Sequence, residues 1–386
     1  MDNIGNYLSE LNTRESGYLE AMLNNFSASY KLYWFRGIFK EVLNGTREMS
    51  YKRVVARMIA ATWFPVLYYH LSLGFSDKLA EAVSYLHEKL GVSQDETEDN
   101  IIRFICSSRD KKLLFMMNGL TDMVPTRLIR PFYEQNINTK RAEDSSFKDG
   151  KIDAFIRECN ETQYDDALYR IRTSGNGMWL SVNEYWYRFI RDNASVIEGW
   201  LNYKLVTYLQ KRNPNVPAIA FKIYPPQKED RNLEAAARYW KTVQKETPLY
   251  DLYNGCELTD ENFQEYGCFS IDHFIPWSFV FHNEIWDLYP SFKNVNSGKN
   301  DRLPDMGRYL KKYCDAQYKG FIIAKKQNSL QRILEDFRTV KGDIMEIEES
   351  DRGHDAFVKA MKNTIEPLYQ IAYNQGYSTW YMKPEE

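Results

Sequence analysis

Apolar residues recur at helical spacing through much of the first two hundred positions, the pattern of helices that each bury one face. The longest such run is Tyr18–Leu43, and Asn44-Gly45 supplies its stop. Ser76 is placed to cap a helix through Leu90, which Gly91 ends. Met123–Tyr133 is punctuated by Pro125 and Pro131 and reads as an extended or broken connection. Glu134–Asp153 is polar and charged, which suits a long surface loop or a boundary between helical lobes. Ser195 and Glu198 have the spacing of a capping box for a helix reaching about Gln210.

The texture then changes. Asn213-Pro214-Asn215-Val216-Pro217 and Pro225-Pro226 break the helical pattern, and one further helix is predicted over about Asp230–Lys245, acidic at its start and basic at its end. After Pro248 come short segments rich in aromatic and turn residues, suited to a β-hairpin with Asn254-Gly255 as its turn signal. Helical periodicity returns near Met306 and runs, with breaks, to about Tyr373. The fold class expected is mainly α with a small α+β module. Three regions follow: 1–215 as a helical recognition or partner region with a sub-boundary near 134–153, 216–320 as the module with its preceding helix, and 321–386 as C-terminal helices.

Composition narrows the class. With 386 residues of which 44% are hydrophobic, the chain can build more than one core. A formal net charge of −3 is not that of a general polyanion binder, so a grip on nucleic acid would need local basic patches. Five dispersed cysteines with no CxxC pair argue against a disulfide framework or a zinc ribbon and for a reducing, cytoplasmic setting. The polar start is no signal peptide, and the most apolar stretch, Met58–Tyr69, is too short to span a bilayer, so it is expected as a buried helix.

Charge is segregated near the C-terminal third. Asp251–Pro290 carries eight acidic residues and no Lys or Arg, whereas Lys293–Lys312 carries six basic residues against two acidic ones. An acidic pocket beside a basic ridge would hold a cation and a phosphate side by side, although charge pattern alone favours two solvated faces. Inside this stretch stands Asp272-His273, after a short strand-like run. The carboxylate can bind a divalent cation through oxygen, and the imidazole, which titrates near neutrality, can take a proton from water. Neighbours on a strand point to opposite faces, so the pair serves one site only at a strand end or bulge. Asn296 adds a second hard oxygen, and one carboxylate with one amide leaves most of a coordination sphere to water and phosphate, which suits Mg²⁺ or Mn²⁺ better than Zn²⁺. Lys299 lies one helical turn beyond Asn296, where an ammonium could steady a phosphate.

Taken together, Phe269–Pro304 resembles the HNH, or ββα-metal, nucleases, closest to the HNH domain of the CRISPR RNA-guided nucleases and to stand-alone bacterial HNH proteins. The matching residues are Asp272, His273, Pro276, Ser278, Phe279, Asn296, Lys299, Asp301 and Pro304. Val124-Pro125 with Arg127, and Asn213–Pro217, match the stand-alone proteins more weakly. The resemblance implies His273 as general base, Asp272 and Asn296 as metal ligands, and Asp287 at the middle signature position, where the family usually carries Asn. An Asp there accepts hydrogen bonds but, ionised, donates none, so the middle position is the weak point of the match. Lys293, Lys299 and Arg302 are the expected nucleic-acid contacts.

The activity implied is metal-dependent hydrolysis of phosphodiester bonds in DNA, in the setting of bacterial restriction or phage defence, where a partner such as an ATPase, or a homodimer, would be in keeping. The rivals are a partner-binding protein with a degenerate centre, which Asp287 favours, and an RNA nuclease. Other residues read more blandly: His282 as a surface histidine, His70 as a core or boundary residue, Cys256 and Cys268 as packing, and Arg127 and Arg130 as evenly balanced between phosphate contacts and braces of their loop.

Overall fold

A computed structural model describes residues 14–24, 28–75, 77–175, 177–227 and 231–383. They form two compact units, one reaching to Pro214 and including Lys222–Tyr224, the other made of Asn215–Phe221 and the chain from Pro225 onward. The protein is mainly helical with a small α+β module.

The first unit is built on α2 (Tyr30–Leu43) and α3 (Tyr51–Leu67), preceded by α1 (Arg14–Met22). The single run expected over Tyr18–Leu43 is therefore two helices, and Asn44 and Gly45 do end the second, Gly45 at φ +86°. Between α2 and α3 lies β1 (Glu48–Ser50), and Ser50 caps α3 by accepting from the Arg53 N–H. Trp34, Phe35, Ile38 and Phe39 of α2 meet Val54, Met58, Ile59 and Trp63 of α3, all wholly buried. The helices approach closely because Gly37 has no side chain: a Cβ there would stand 3.1 Å from Val54 Cγ1 and 3.1 Å from its carbonyl. Burial on this scale stabilises by ~1.5–3 kcal/mol for each large side chain. The apolar stretch from Met58 thus lies largely within α3, and among the described residues no helix is long and apolar enough to cross a membrane.

Helices α4 (Lys78–Glu88), α5 (Glu98–Ser107) and α6 (Lys111–Gly119) follow. Asp77 caps α4; the expected cap, Ser76, lies outside the described residues. The proline-marked connection is not extended. It forms α7 (Val124–Ile129) and a 3₁₀ turn, because Pro125 and Pro131 sit in first turns where no N–H is needed. The polar stretch after it is α8 (Glu134–Glu143), a short turn and the start of α9 (Ile152–Thr162). A three-stranded antiparallel sheet, which the sequence reading did not foresee, joins β1 to β3 (Gly177–Val182) and β3 to β2 (Tyr169–Ser174). Helices α10 (Glu184–Asp192) and α11 (Ala194–Arg212) complete the unit; Ser195 lies inside α11, so the capping box does not form.

In the second unit, α12 (Glu234–Gln244) is the helix expected there, its predicted first residue, Asp230, lying outside the described residues. The expected hairpin after Pro248 reduces to one bridge, Tyr250 with Glu257, closed by Gly255 at φ +77°. After α13 (Asp260–Tyr266) come β4 (Phe269–His273), the single turn α14 (Trp277–Val280), β5 (Leu288–Phe292) and α15 (Lys293–Lys299). Strands β4 and β5 pair antiparallel with His273 opposite Leu288 and Asp272 opposite Tyr289. Next are β6 (Leu303–Pro304), α16 (Met306–Lys325), α17 (Gln331–Leu334), α18 (Asp351–Asn374) and β7 (Thr379–Trp380), the last pairing parallel to β6. Residues beyond 320 thus belong to the same compact unit as the ββα module. Helix α16 clamps that module: Tyr313 Oη donates to the Trp286 carbonyl at 2.7 Å, and Gln317 Nε2 to the Leu288 carbonyl at 2.9 Å. Trp240 of α12 donates to the same Leu288 carbonyl at 3.0 Å.

Candidate active site

Asp272 and His273 end β4, where the strand gives way to the turn before α14. Both are buried, at 4% and 3% exposure. The His273 ring sets Nε2 3.1 Å from the His282 carbonyl and 3.2 Å from Asn283 Oδ1. A carbonyl can only accept, so Nε2 carries the ring proton and Nδ1 keeps its lone pair. Burial, then the field of Arg231 and then that of Lys299, lower the imidazole pKa to about 3, so the ring is neutral at physiological pH. A neutral, oriented imidazole is the form a general base requires.

The loop that follows is held by Asp287. Its backbone carbonyl accepts from the Phe274 N–H at 2.8 Å, and its Oδ1 accepts from the Ile275 N–H at 2.9 Å. Asp287 is wholly buried, and its Oδ2 has no hydrogen-bond partner among the described residues. Burial raises its carboxyl well above the usual range. Asp287 thus meets the structural demand of the middle position by accepting alone.

Lys299, expected to face phosphate, is wholly buried instead. Its ammonium donates to Asp272 Oδ1 at 3.0 Å and to the His273 carbonyl at 2.6 Å. The other Asp272 oxygen accepts from the Tyr253 hydroxyl. Asn296 is turned toward β4: its Nδ2 donates to Ser270 Oγ at 2.9 Å and to the Ile271 carbonyl at 3.0 Å. Its Oδ1 makes no hydrogen bond among the described residues. Asp272, His273, Asn296 and Lys299 are thus brought together on one ββα frame, with Asp287 behind them.

The eight acids do not gather into an acidic pocket. Asp251, Asp272 and Asp287 are buried, and Asp251 fastens the 250–257 loop to β5 through Ser291 Oγ at 2.5 Å. Among the described residues no group of three or more His, Cys, Asp and Glu could hold a metal. For a hard divalent cation, Asn296 Oδ1 offers an acceptor without a hydrogen bond among the described residues, and each Asp272 oxygen, which accepts from Lys299 or from Tyr253, keeps a second lone pair.

On the basic side, Lys293 is exposed, and Arg302 lies against the carbonyls of Lys299 and Gly298 with its guanidinium over Trp380. Sequence reasoning missed Arg231. Its guanidinium lies 5.4 Å from the Trp277 ring centroid, is exposed, and exerts the largest effect of any charge on His273 after burial itself. Nothing in its local sequence marks it, since it precedes α12 and lies far from the motif. His282, expected as an idle surface residue, supplies the carbonyl that fixes His273 and packs on Trp286 at 5.1 Å. In the first unit, Arg127 and Arg130 pair with Asp153 and Glu134.

Compared with known proteins, residues 251–305 match the profile of the HNH endonuclease family. No curated protein and no solved structure matches the chain.

Proposed function

We propose that the HNH endonuclease module formed by residues 251–305 makes this chain a metal-dependent nuclease that hydrolyses phosphodiester bonds in DNA. The observation that carries the reading is the state of His273. It is neutral, its Nε2 is anchored on the His282 carbonyl, and it follows Asp272 at the end of β4, the strand on which Asn296 is hydrogen-bonded.

In this reading Asp272 and Asn296 hold a divalent cation, Mg²⁺ or Mn²⁺, which when bound supplies positive charge against the phosphate and the leaving oxygen. The rest is the work of the chain. His273 accepts a proton from water at Nδ1. The water oxygen forms the new bond to phosphorus, and the bond from phosphorus to the 3′ oxygen breaks. Asp287 is a positioning residue: it holds the 274–275 backbone and touches no substrate. Lys299 neutralises Asp272 from within. The phosphate-facing cation is Arg231, with Lys293 and Arg302 along the exposed side. The family resemblance supports a place in bacterial restriction or phage defence, with a partner such as an ATPase or a second copy of the chain.

The test is nicking of supercoiled plasmid with Mg²⁺, Mn²⁺ or EDTA, wild type beside His273→Ala. Cutting that needs metal and falls by roughly 10²–10⁴ in the variant, the usual contribution of a positioned base, is expected. Absence of cutting by folded wild type on plasmid, with cutting of structured RNA, would move the substrate to RNA. No cutting of either would make the module a binding element.

A further inference from the structure

We infer that the first unit holds a binding site for a small organic phosphate, separate from the nuclease module. A cavity of about 730 Å³ opens there between α1, α2 and the α7–α8 segment. Its volume is that of sites for nucleotide-sized ligands, which run to roughly 300–1,000 Å³. Its wall carries Arg14, Lys31, Arg127 and Arg130 against a single acid, Glu134, and includes the ring of Tyr18.

The cations are arranged for a ligand rather than for one another. Asp153 grips Arg127 through Nε alone, at 2.8 and 3.1 Å, and among the described residues neither terminal nitrogen of that guanidinium has a hydrogen bond. Glu134 engages Arg130 at Nε and one terminal nitrogen, leaving the other. The carboxylates therefore fix the two forks and leave donors over, the geometry that recognises phosphate. Arg14 pairs with Asp166 at the rim. Lys31 has no ion pair or hydrogen bond among the described residues, although it is partly buried and faces Arg127 and Arg130. Burial and those two neighbours lower its pKa. Like charges crowded at a partly desolvated wall are unfavourable until an anion joins them. Tyr18, stacked on Phe132 with centroids 4.3 Å apart, adds an aromatic wall for the organic part.

The experiment uses the full chain in calorimetric titrations and thermal melts with adenosine monophosphate, glucose 6-phosphate, inorganic phosphate and adenosine, in wild type, Lys31→Met and Lys31→Arg. Lys31 breaks no ion pair when replaced, and the melts establish that each variant is folded. At least one of the two organic phosphates should bind and raise the melting temperature. Lys31→Met should weaken that binding tenfold or more, Lys31→Arg should keep it, and adenosine should not bind. Failure of both organic phosphates at millimolar concentration, binding untouched by Lys31→Met, or inorganic phosphate binding as tightly as either would overturn the inference. A short DNA duplex whose binding alone falls in Lys31→Met would overturn it too, and would make the cavity a contact for nucleic-acid backbone.

Discussion

Both units bury charge, and they do so in opposite ways. In the first, Glu41 accepts from Arg57 Nε at 2.6 Å and Arg53 Nε at 3.0 Å, while Arg57 reaches on to Glu98 at 2.9 Å. In that network each buried charge meets an opposite one. In the second, Asp272 and Lys299 close on each other, and beside them Asp287 Oδ2 is buried with no hydrogen-bond partner among the described residues. Polar groups left unsatisfied in a buried setting cost ~1–3 kcal/mol each. Buried polar atoms without a hydrogen bond among the described residues occur elsewhere too, at Tyr33, Tyr51 and Trp200 for example; what sets this one apart is that it lies beside an ion pair and a motif for hydrolysis.

The largest effect expected is on that ion pair. Lys299→Met removes the partner of a carboxylate that is 4% exposed. Breaking a buried pair by deleting one member costs about 3–5 kcal/mol, because the remaining charge is uncompensated. Chemical denaturation should show that loss, together with loss of cutting. A variant as stable as wild type would mean that Asp272 is held some other way, and the contrast between the two units would lose its clearest member.

The module itself was legible in the sequence because its chemistry is local. Asp272, His273, Asn296 and Lys299 fall within one short stretch whose spacing makes two strands and a helix. What was not legible depends on partners far away in the chain. β1 is three residues long and pairs with a strand some 130 positions later, with Glu48 opposite Ser181, so no local pattern reveals the sheet. The alternation in Tyr169–Ser174 and Gly177–Val182 could have signalled the hairpin beside it. Spacing put Lys299 on the same helix as Asn296 but could not say that its side chain turns inward to β4. Arg231 became visible only once Trp277 was folded beneath it. The two prolines of the α7 segment misled because a proline in a first turn and a proline in a loop look alike in sequence.

A smaller effect, of opposite sign, is expected at Asp287. Its folded carboxyl has a raised pKa, so the stability it contributes is whole in acid, below the usual carboxylate range, and falls as pH climbs toward the folded pKa. Asn cannot ionise and keeps the acceptor that Ile275 uses. Asp287→Asn should therefore stabilise the protein by about 1–3 kcal/mol at pH 8, a gain that fades toward pH 4, since each pH unit in between is worth at most ~1.4 kcal/mol. Melting temperatures across that range would show it, and nicking should persist. A destabilised or inactive variant would mean that the carboxylate itself has a role, and the middle position would have to be moved from support to chemistry.

The smallest effect separates the two kinds of cation in the site. Arg231 is exposed, pairs with no acid among the described residues, and leans on Trp277, so Arg231→Ala should shift stability by no more than about 0.5 kcal/mol, as surface changes do. If it faces the phosphate in place of the buried Lys299, cutting should slow by about tenfold, equivalent to ~1.4 kcal/mol of lost transition-state interaction. Arg231→Lys should recover part of that rate, because a point charge replaces a fork. Removing the guanidinium also relieves one of the fields that lower the His273 pKa, so the acid limb of the rate profile should move to higher pH. A structural role would alter stability and leave that limb in place. Unchanged rate together with an unchanged profile would return the phosphate to Lys293 and Arg302, and with it the assignment of charge along the exposed edge of the module.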